Sequence, residues 1–272
     1  MLQPDENRRE SLLLVGHGTR DGGGLAEFQR LAALVRGRAA GRFVEACYLE
    51  LAEPTIAEGI ARLAEAGAGQ IIVAPVLLFA AGHVKRDIPA AVAEAASRFP
   101  ELAIRIAGAL DCSQHILALS QRRFEEALAG RRAIAAGKTL LLMVGRGSFD
   151  ADATADMHRF AELRAQRTQV AKVVTCFVAM QRPSLAGALL DARNANFERI
   201  VVQPHLLFQG QLLAEIQTAV EAAARHSDSA DGQRIDWVLT APLGPEPELA
   251  AAVLECATVG RAASPSAICR TG

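Results

Sequence analysis

Three side chains in the first third of the chain have the types and spacing of a small reactive site: His17 in V-G-H-G-T, Glu50 in C-Y-L-E and His83 in A-A-G-H-V. Equal intervals of 33 residues separate them (50 − 17 and 83 − 50), roughly one strand, one helix and their turns. Two imidazoles and a carboxylate suit a borderline divalent transition ion such as Co2+, Fe2+, Ni2+ or Zn2+. The same groups can exchange protons near neutrality, because imidazole titrates at about 6.5 and a Glu can be tuned toward it. A lone histidine at a strand end is ordinarily a hydrogen-bonded structural residue. Three such groups at matched positions favour a functional reading. Glu53 competes with Glu50 for the acidic role, since either carboxylate can instead cap the helix expected to begin with Pro54 in its first turn. Gly16, Gly18 and Gly82 flank the two histidines and permit close approach of a bulky flat ligand.

The elements that must position these groups follow from hydropathy patterning. Residues 11–16 and 70–78 are continuous apolar runs, as expected of strands covered on both faces of a parallel sheet. Residues 25–39, 55–66, 84–99 and 113–129 have helical spacing, and 103–108 reads as a further strand. The order repeats: strands 139–145, 172–178, 199–206 and 236–240 alternate with helices, among them 185–194, 212–225 and 246–256. Alternating strand and helix imply right-handed βαβ units. The fold class is therefore α/β, two tandem halves, each a parallel sheet flanked by helices, with the site in the cleft between them. The boundaries read as 1–130 and 139–258, with a linker at 131–138 and a tail at 259–272. In open α/β sheets ligands bind at the carboxyl ends of strands, where His17, Glu50 and His83 all fall.

The two halves are a duplication. L-L-L-V-G-H-G at 12–18 meets L-L-M-V-G-R-G at 141–147, an offset of 129 (141 − 12). At that offset Cys47-Tyr48 meets Cys176-Phe177, Pro54-Thr55 meets Pro183-Ser184, and P-x-L-L-F at 75–79 meets the same pattern at 204–208. The duplication acts as an internal control. Arg146 stands at the His17 position, Ala179 at that of Glu50, and Gln211 at that of His83 after a one-residue gap (Leu212 without it). The structural Gly, Pro and Leu-Leu-Phe positions persist while all three candidate ligands vanish together. The second half thus reads as a cleft wall. His205 interrupts an apolar strand and reads as a core or rim histidine, and His115, His158 and His226 as helix-surface residues.

Composition excludes several classes. A formal charge of −1 with 51% hydrophobic residues offers no basic surface for nucleic acid. The polar opening M-L-Q-P-D-E-N-R-R-E is not a signal peptide, and the longest apolar run, 71–81, is shorter than the roughly 18 residues a membrane span takes. Five scattered cysteines without C-x-x-C argue against a disulfide framework, a zinc ribbon or an iron–sulfur cluster and point to a reducing cytoplasm. Gly137-Lys138-Thr139 fails as a phosphate loop, because the upstream Gly130 is misplaced and a strand follows instead of preceding. The glycines of 16–24 are a second candidate phosphate loop, but that reading leaves Glu50 and His83 unexplained. A histidine phosphatase would want Arg where Gly16 stands.

At L-L-L-V-G-H-G-T-R (12–20), Y-L-E-L-A-E-P-T-I (48–56) and P-V-L-L-F-A-A-G-H-V-K-R-D-I-P (75–89), over about 11–257, the chain resembles the class II chelatases, in particular the long CbiX-type sirohydrochlorin cobaltochelatases. The resemblance implies ATP-independent insertion of a divalent metal into sirohydrochlorin, with Co2+ for cobalamin or Fe2+ for sirohaem. It implies that His17 and His83 handle metal and protons with help from Glu50. Eight substrate carboxylates would call for Thr19, Arg20, Lys85, Arg86, Arg146 and Ser148 around the cleft. Some long-form relatives carry a His-rich stretch or an iron–sulfur motif near the C-terminus; the ending S-P-S-A-I-C-R-T-G predicts no cluster and no permanently bound cofactor. A fused pair of halves already builds a cleft, which favours a monomer and leaves a dimer open. A non-catalytic tetrapyrrole or metal carrier is the alternative from a different class.

Overall fold

The computed structural model describes residues 10–225 and 234–259, without the side chains of His83 and Val259. His226 and residues 260–272 of the expected tail lie outside the described residues. The first half runs β1 (Glu10–Gly16), α1 (Gly22–Arg38), β2 (Val44–Tyr48), α2 (Ile56–Glu65), β3 (Gln70–Pro75), α3 (Ile88–Ala96), β4 (Ala103–Ile106) and α4 (Gln114–Leu128). The second repeats it as β5 (Thr139–Gly145), α5 (Ala151–Ala165), β6 (Lys172–Phe177), α6 (Leu185–Asn194), β7 (Arg199–Pro204), α7 (Gln211–Arg225), β8 (Asp236–Leu239) and α8 (Pro247–Val259).

Each half holds an all-parallel four-stranded sheet, in the orders β2-β1-β3-β4 and β6-β5-β7-β8. The registers are equivalent: Leu12 faces Val44 and Ile72, and Leu141 faces Val173 and Val201. The connections leaving β1 and β3 diverge, so a crevice opens at the carboxyl ends of these neighbouring strands.

Local deviations from the sequence reading have local causes. The apolar run 70–78 leaves the sheet after Pro75, because the carbonyls of Leu77 and Leu78 instead accept from the N–H groups of Leu110 and Asp111. Leu206 and Leu207 repeat this with Leu243 and Gly244. Pro54 does not begin α2. Thr55 is its N-cap and shares a full capping box with Glu58, so neither Glu50 nor Glu53 caps that helix. The helix expected over 84–99 splits into a π-helical turn, His83–Asp87, and α3. Pro89 has no N–H for the α-helical ladder, so the preceding turn can widen.

The terminal helices are exchanged between halves. The Arg164 guanidinium of α5 donates to Ser120 Oγ of α4 (3.0 Å), and the Gln203 amide of β7 donates to the Ser120 carbonyl (2.6 Å), which seats α4 over the second sheet. In return α8 lies over the first: Arg105 of β4 donates to the Ala257 carbonyl, and Leu249, Ala250 and Val253 join Leu12, Leu14 and Ile72 in one core. That core also takes in Leu141, Met143 and Val201 of the second sheet. The outer faces of the two sheets have separate apolar layers under α2 and α3 and under α6 and α7. Sequence halves and packing units therefore differ by α4 and α8. Among the described residues no helix is long and apolar enough to cross a membrane.

Candidate functional site

The crevice between the halves has a volume of about 910 Å³, within the roughly 300–1,000 Å³ usual for small-molecule sites. Its floor is formed by the strand ends of both halves, and its walls are largely apolar: Leu25, Phe28, Tyr48, Phe79, Met157 and Phe208. The aromatic of each P-x-L-L-F motif crosses to the opposite half. Phe208 packs edge-on against Phe28 of α1, and Phe79 lies against His205.

His17 lies one residue beyond β1 and lines the crevice. Past the strand ends, the N–H groups of Leu49 and Glu50 donate to the carbonyls of Gly16 and His17 (2.9 and 3.1 Å). These two bonds bring the side chains together, with Glu50 Oε1 at 3.4 Å from His17 Nε2. Gly18 makes this approach possible: its φ is +94° and a Cβ there would run into the Glu50 carbonyl. The second half keeps the same frame. Val178 and Ala179 donate to the carbonyls of Gly145 and Arg146 (3.0 Å each), and Gly147 has φ +93° with its Cβ position blocked by the Ala179 carbonyl. Only the side chains differ.

His83 opens the π-helical turn eight residues beyond β3, at the same sheet edge as His17 and Glu50. Gln211 likewise opens α7. The His83 side chain lies outside the description. Among the described residues no group of three or more His, Cys, Asp or Glu is placed to hold a metal ion; at this sheet edge the described imidazole and carboxylate are those of His17 and Glu50. Glu50 Oε1, half exposed, can pass protons from His17 to solvent.

The six residues expected around the cleft take distinct positions. Arg86 and Arg146 line it. Thr19 and Ser148 line it too, and each hydroxyl oxygen accepts the N–H two residues ahead (3.0 Å in both), as part of the turns that lead to the N-caps Asp21 and Asp150. Arg20 is exposed and lies off the cleft wall, whereas Phe149, its counterpart in the repeat, lies bare on the cleft rim. Lys85 does not line the cleft itself; it pairs with Asp150, which does, and with Asp152 (2.9 and 2.7 Å). His205 is a core histidine with one edge on the cleft. His115 lies near Glu255 at 3.9 Å, and His158 is exposed beside Phe177.

The sequence reading missed the aromatic walls. Their signal was available in the repeated P-x-L-L-F, since both copies keep an aromatic after the strand has ended.

Two duplicated halves, crossed by their terminal helices and presenting His17, paired with Glu50, to a largely apolar cleft, define the class of protein. The chain belongs to the CbiX family, whose model matches residues 11–127 and 140–258, one copy on each half. A sirohydrochlorin ferrochelatase of Priestia megaterium is 32% identical over 177 residues, 65% of this chain and 65% of that protein. A sirohydrochlorin cobaltochelatase of the same organism is 27% identical over 251 residues, 92% of this chain and 80% of that protein. The structure of SirB from Bacillus subtilis with Fe3+ matches with a TM-score of 0.79 at 26% identity, covering 93% of this chain and 96% of that one.

Proposed function

We propose that the protein is a sirohydrochlorin chelatase that inserts a divalent metal without ATP and without a resident cofactor. The observation that carries this reading is His17 on the wall of an apolar cleft with Glu50 Oε1 at 3.4 Å from its ring, in a backbone frame the second half repeats with Arg146 and Ala179. Metallation exchanges two pyrrole N–H protons for one M2+. His17 takes up the two protons in turn at the face where the metal enters, and Glu50 passes each to solvent. His83 joins His17 in delivering the metal, as a neutral imidazole suits these ions. The tetrapyrrole plane lies between the aromatic walls, while Arg146 and Arg86 meet its carboxylates.

We read the metal as Co2+, supported by the match to a cobaltochelatase over 92% of the chain. Fe2+ is the second reading, favoured by the 32% identity to a ferrochelatase. Imidazole and carboxylate do not separate the two, because affinity order is set mainly by the metals.

The test is anaerobic mixing of sirohydrochlorin with Co2+, following loss of the metal-free absorption spectrum. A chelatase accelerates that loss catalytically, and His17→Ala and His83→Ala abolish the acceleration. Stoichiometric binding without turnover would make the protein a carrier, and normal turnover by the double variant would remove the site assignment. Competition between Co2+ and Fe2+ in the same assay decides the metal.

A further inference from the structure

Behind the second wall of the cleft, the interior holds four polar side chains where a core would be apolar. Ser120, Arg164, Gln203 and His205 are 1, 0, 2 and 3% exposed. Arg164 Nε donates to Ser120 Oγ (3.0 Å), and Gln203 Nε2 donates to the Ser120 carbonyl (2.6 Å) and Oγ (3.3 Å). The remaining atoms go unmet. Arg164 Nη1 and Nη2, Gln203 Oε1 and both nitrogens of His205 have no hydrogen-bond partner, five of the eight such buried side-chain atoms among the described residues. The His205 ring lies on Phe160, with centroids 4.0 Å apart and planes 32° apart, and its edge lines the cleft.

The duplication shows that the fold does not require these residues. At the offset of 129, Arg164, Gln203 and His205 correspond to Val35, Ala74 and Val76. The backbone bonds that end β3 and β7, Leu110 to Leu77 and Leu243 to Leu206, fix the later offset at 133 (243 − 110), so Ser120 corresponds to Val253. All four counterparts are buried and apolar. Hydrocarbon thus packs at one set of positions where the repeat places Arg164 and Gln203 bonded to Ser120, with His205 close by and unbonded.

Electrostatics select the occupant. Burial pushes the Arg164 guanidinium down to about 10, still cationic at neutral pH, and Glu125 acts on it only through space. A buried charge without a partner is costly. Burial and the neighbouring Arg164 push His205 down to about 3, so it is a neutral imidazole with one N–H to donate. A metal cation would be repelled by Arg164. Water would meet the hydrogen bonds and leave the charge unbalanced. An anion meets both needs.

We propose that Arg164 and His205 form an anion-binding site in the second half, entered from the cleft past the edge of His205. The anion is either a dissolved halide or small oxyanion, or a carboxylate arm of the cleft ligand; only this second source rests on the tetrapyrrole reading.

Bromide is the probe. With ionic strength held constant by exchange against a bulky sulfonate salt, bromide should raise the thermal midpoint, by about 3–5 °C at roughly ten times its Kd. Anomalous diffraction from bromide-soaked crystals should place the ion between Arg164 and His205. The variant Ser120→Val/Arg164→Val/Gln203→Ala/His205→Val, which installs the counterpart residues Val253, Val35, Ala74 and Val76 of the repeat, should fold and lose the bromide response. A bromide-insensitive wild-type midpoint, with water alone at the site in the crystal, overturns the proposal whether or not that variant folds. If a carboxylate arm is the natural occupant, bromide weakens binding of metal-free sirohydrochlorin in competition; if a dissolved anion is, sirohydrochlorin affinity stays unchanged while bromide still binds. The bromide measurements use neither tetrapyrrole nor turnover, so they stand apart from the proposed activity.

Discussion

The ammonium of Lys85 sits 3.0 and 2.9 Å from the two carboxylate oxygens of Asp150, bridging the mouth of the cleft. Lys85 belongs to the turn that begins with His83; Asp150 is the N-cap of α5, and Asp152 in the first turn adds a further contact at 2.7 Å. The bridge therefore ties the His83 segment to the opposite half.

Lys85→Gln should release that tie. Exposed ion pairs add little to stability, so the thermal midpoint should hardly move. The effect should fall on KM for the tetrapyrrole more than on kcat, and steady-state metallation kinetics check it. Hydrogen bonds from Lys85 hold the Asp150 carboxyl below its ordinary value, and Asp152 followed by Asp150 raises Lys85 above its own. The bridge accordingly survives through the neutral range; it is lost as pH falls through the lowered Asp150 value or rises through the raised Lys85 value. A Lys85→Gln KM equal to that of the wild type at neutral pH, or a wild-type KM flat through that acidic transition, would count against this role.

Gly18→Ala and Gly147→Ala form a matched pair. Both positions have left-handed φ and a backbone carbonyl in the way of a Cβ, so each variant should lose about 2–4 kcal/mol in urea unfolding. Only Gly18→Ala displaces the Glu50 carbonyl and, with it, the His17–Glu50 pair. Turnover by the folded fraction should drop at least tenfold there and stay within about threefold in Gly147→Ala, where the equivalent positions are Arg146 and Ala179. Equal losses would mean that the His17–Glu50 geometry is not what the glycine protects.

The crossing of α4 and α8 carries an acid-sensitive network. Burial pulls the Glu246 carboxyl upward, but hydrogen bonds from Arg123 and Arg122 outweigh it and hold it below its ordinary value; an Arg123 bond chiefly does the same for Glu126. A carboxyl lowered on folding stabilises the protein above its unfolded value of about 4.3 and stops doing so as pH falls through the folded one. Glu246→Gln should cost about 1 kcal/mol at pH 7 and flatten the fall in stability between about pH 5 and 3. Urea midpoints across that range for both proteins test it.

Cys47 and Cys176, at equivalent positions of the repeat, are fully buried, and burial raises both thiols, Cys176 to about 12. The thiolate is the reactive form, so in a Cys269→Ser background these two should react with a disulfide reagent only at the rate of unfolding. Prompt labelling of either in the native protein, located by peptide mapping, would show that the core opens locally.

Much of the architecture was legible because it is written locally. Apolar runs and helical spacing set the order of elements, and strand–helix alternation forces a parallel sheet. Equal intervals then carry His17, Glu50 and His83 to one sheet edge. The duplication separated the frame, Gly18 and Gly147 included, from the side chains that only one copy has. Tertiary structure decided what no local pattern encodes. Which sheet α4 and α8 cover depends on burying apolar area between halves far apart in sequence, and either choice satisfies each helix's own periodicity. Lys85 stood among the groups expected to meet the substrate's carboxylates, because its actual partners lie 65 and 67 residues away in sequence. No local pattern singles out Arg164; only packing α5 against α4 and β7 buries it near His205, with no carboxylate hydrogen-bonded to it.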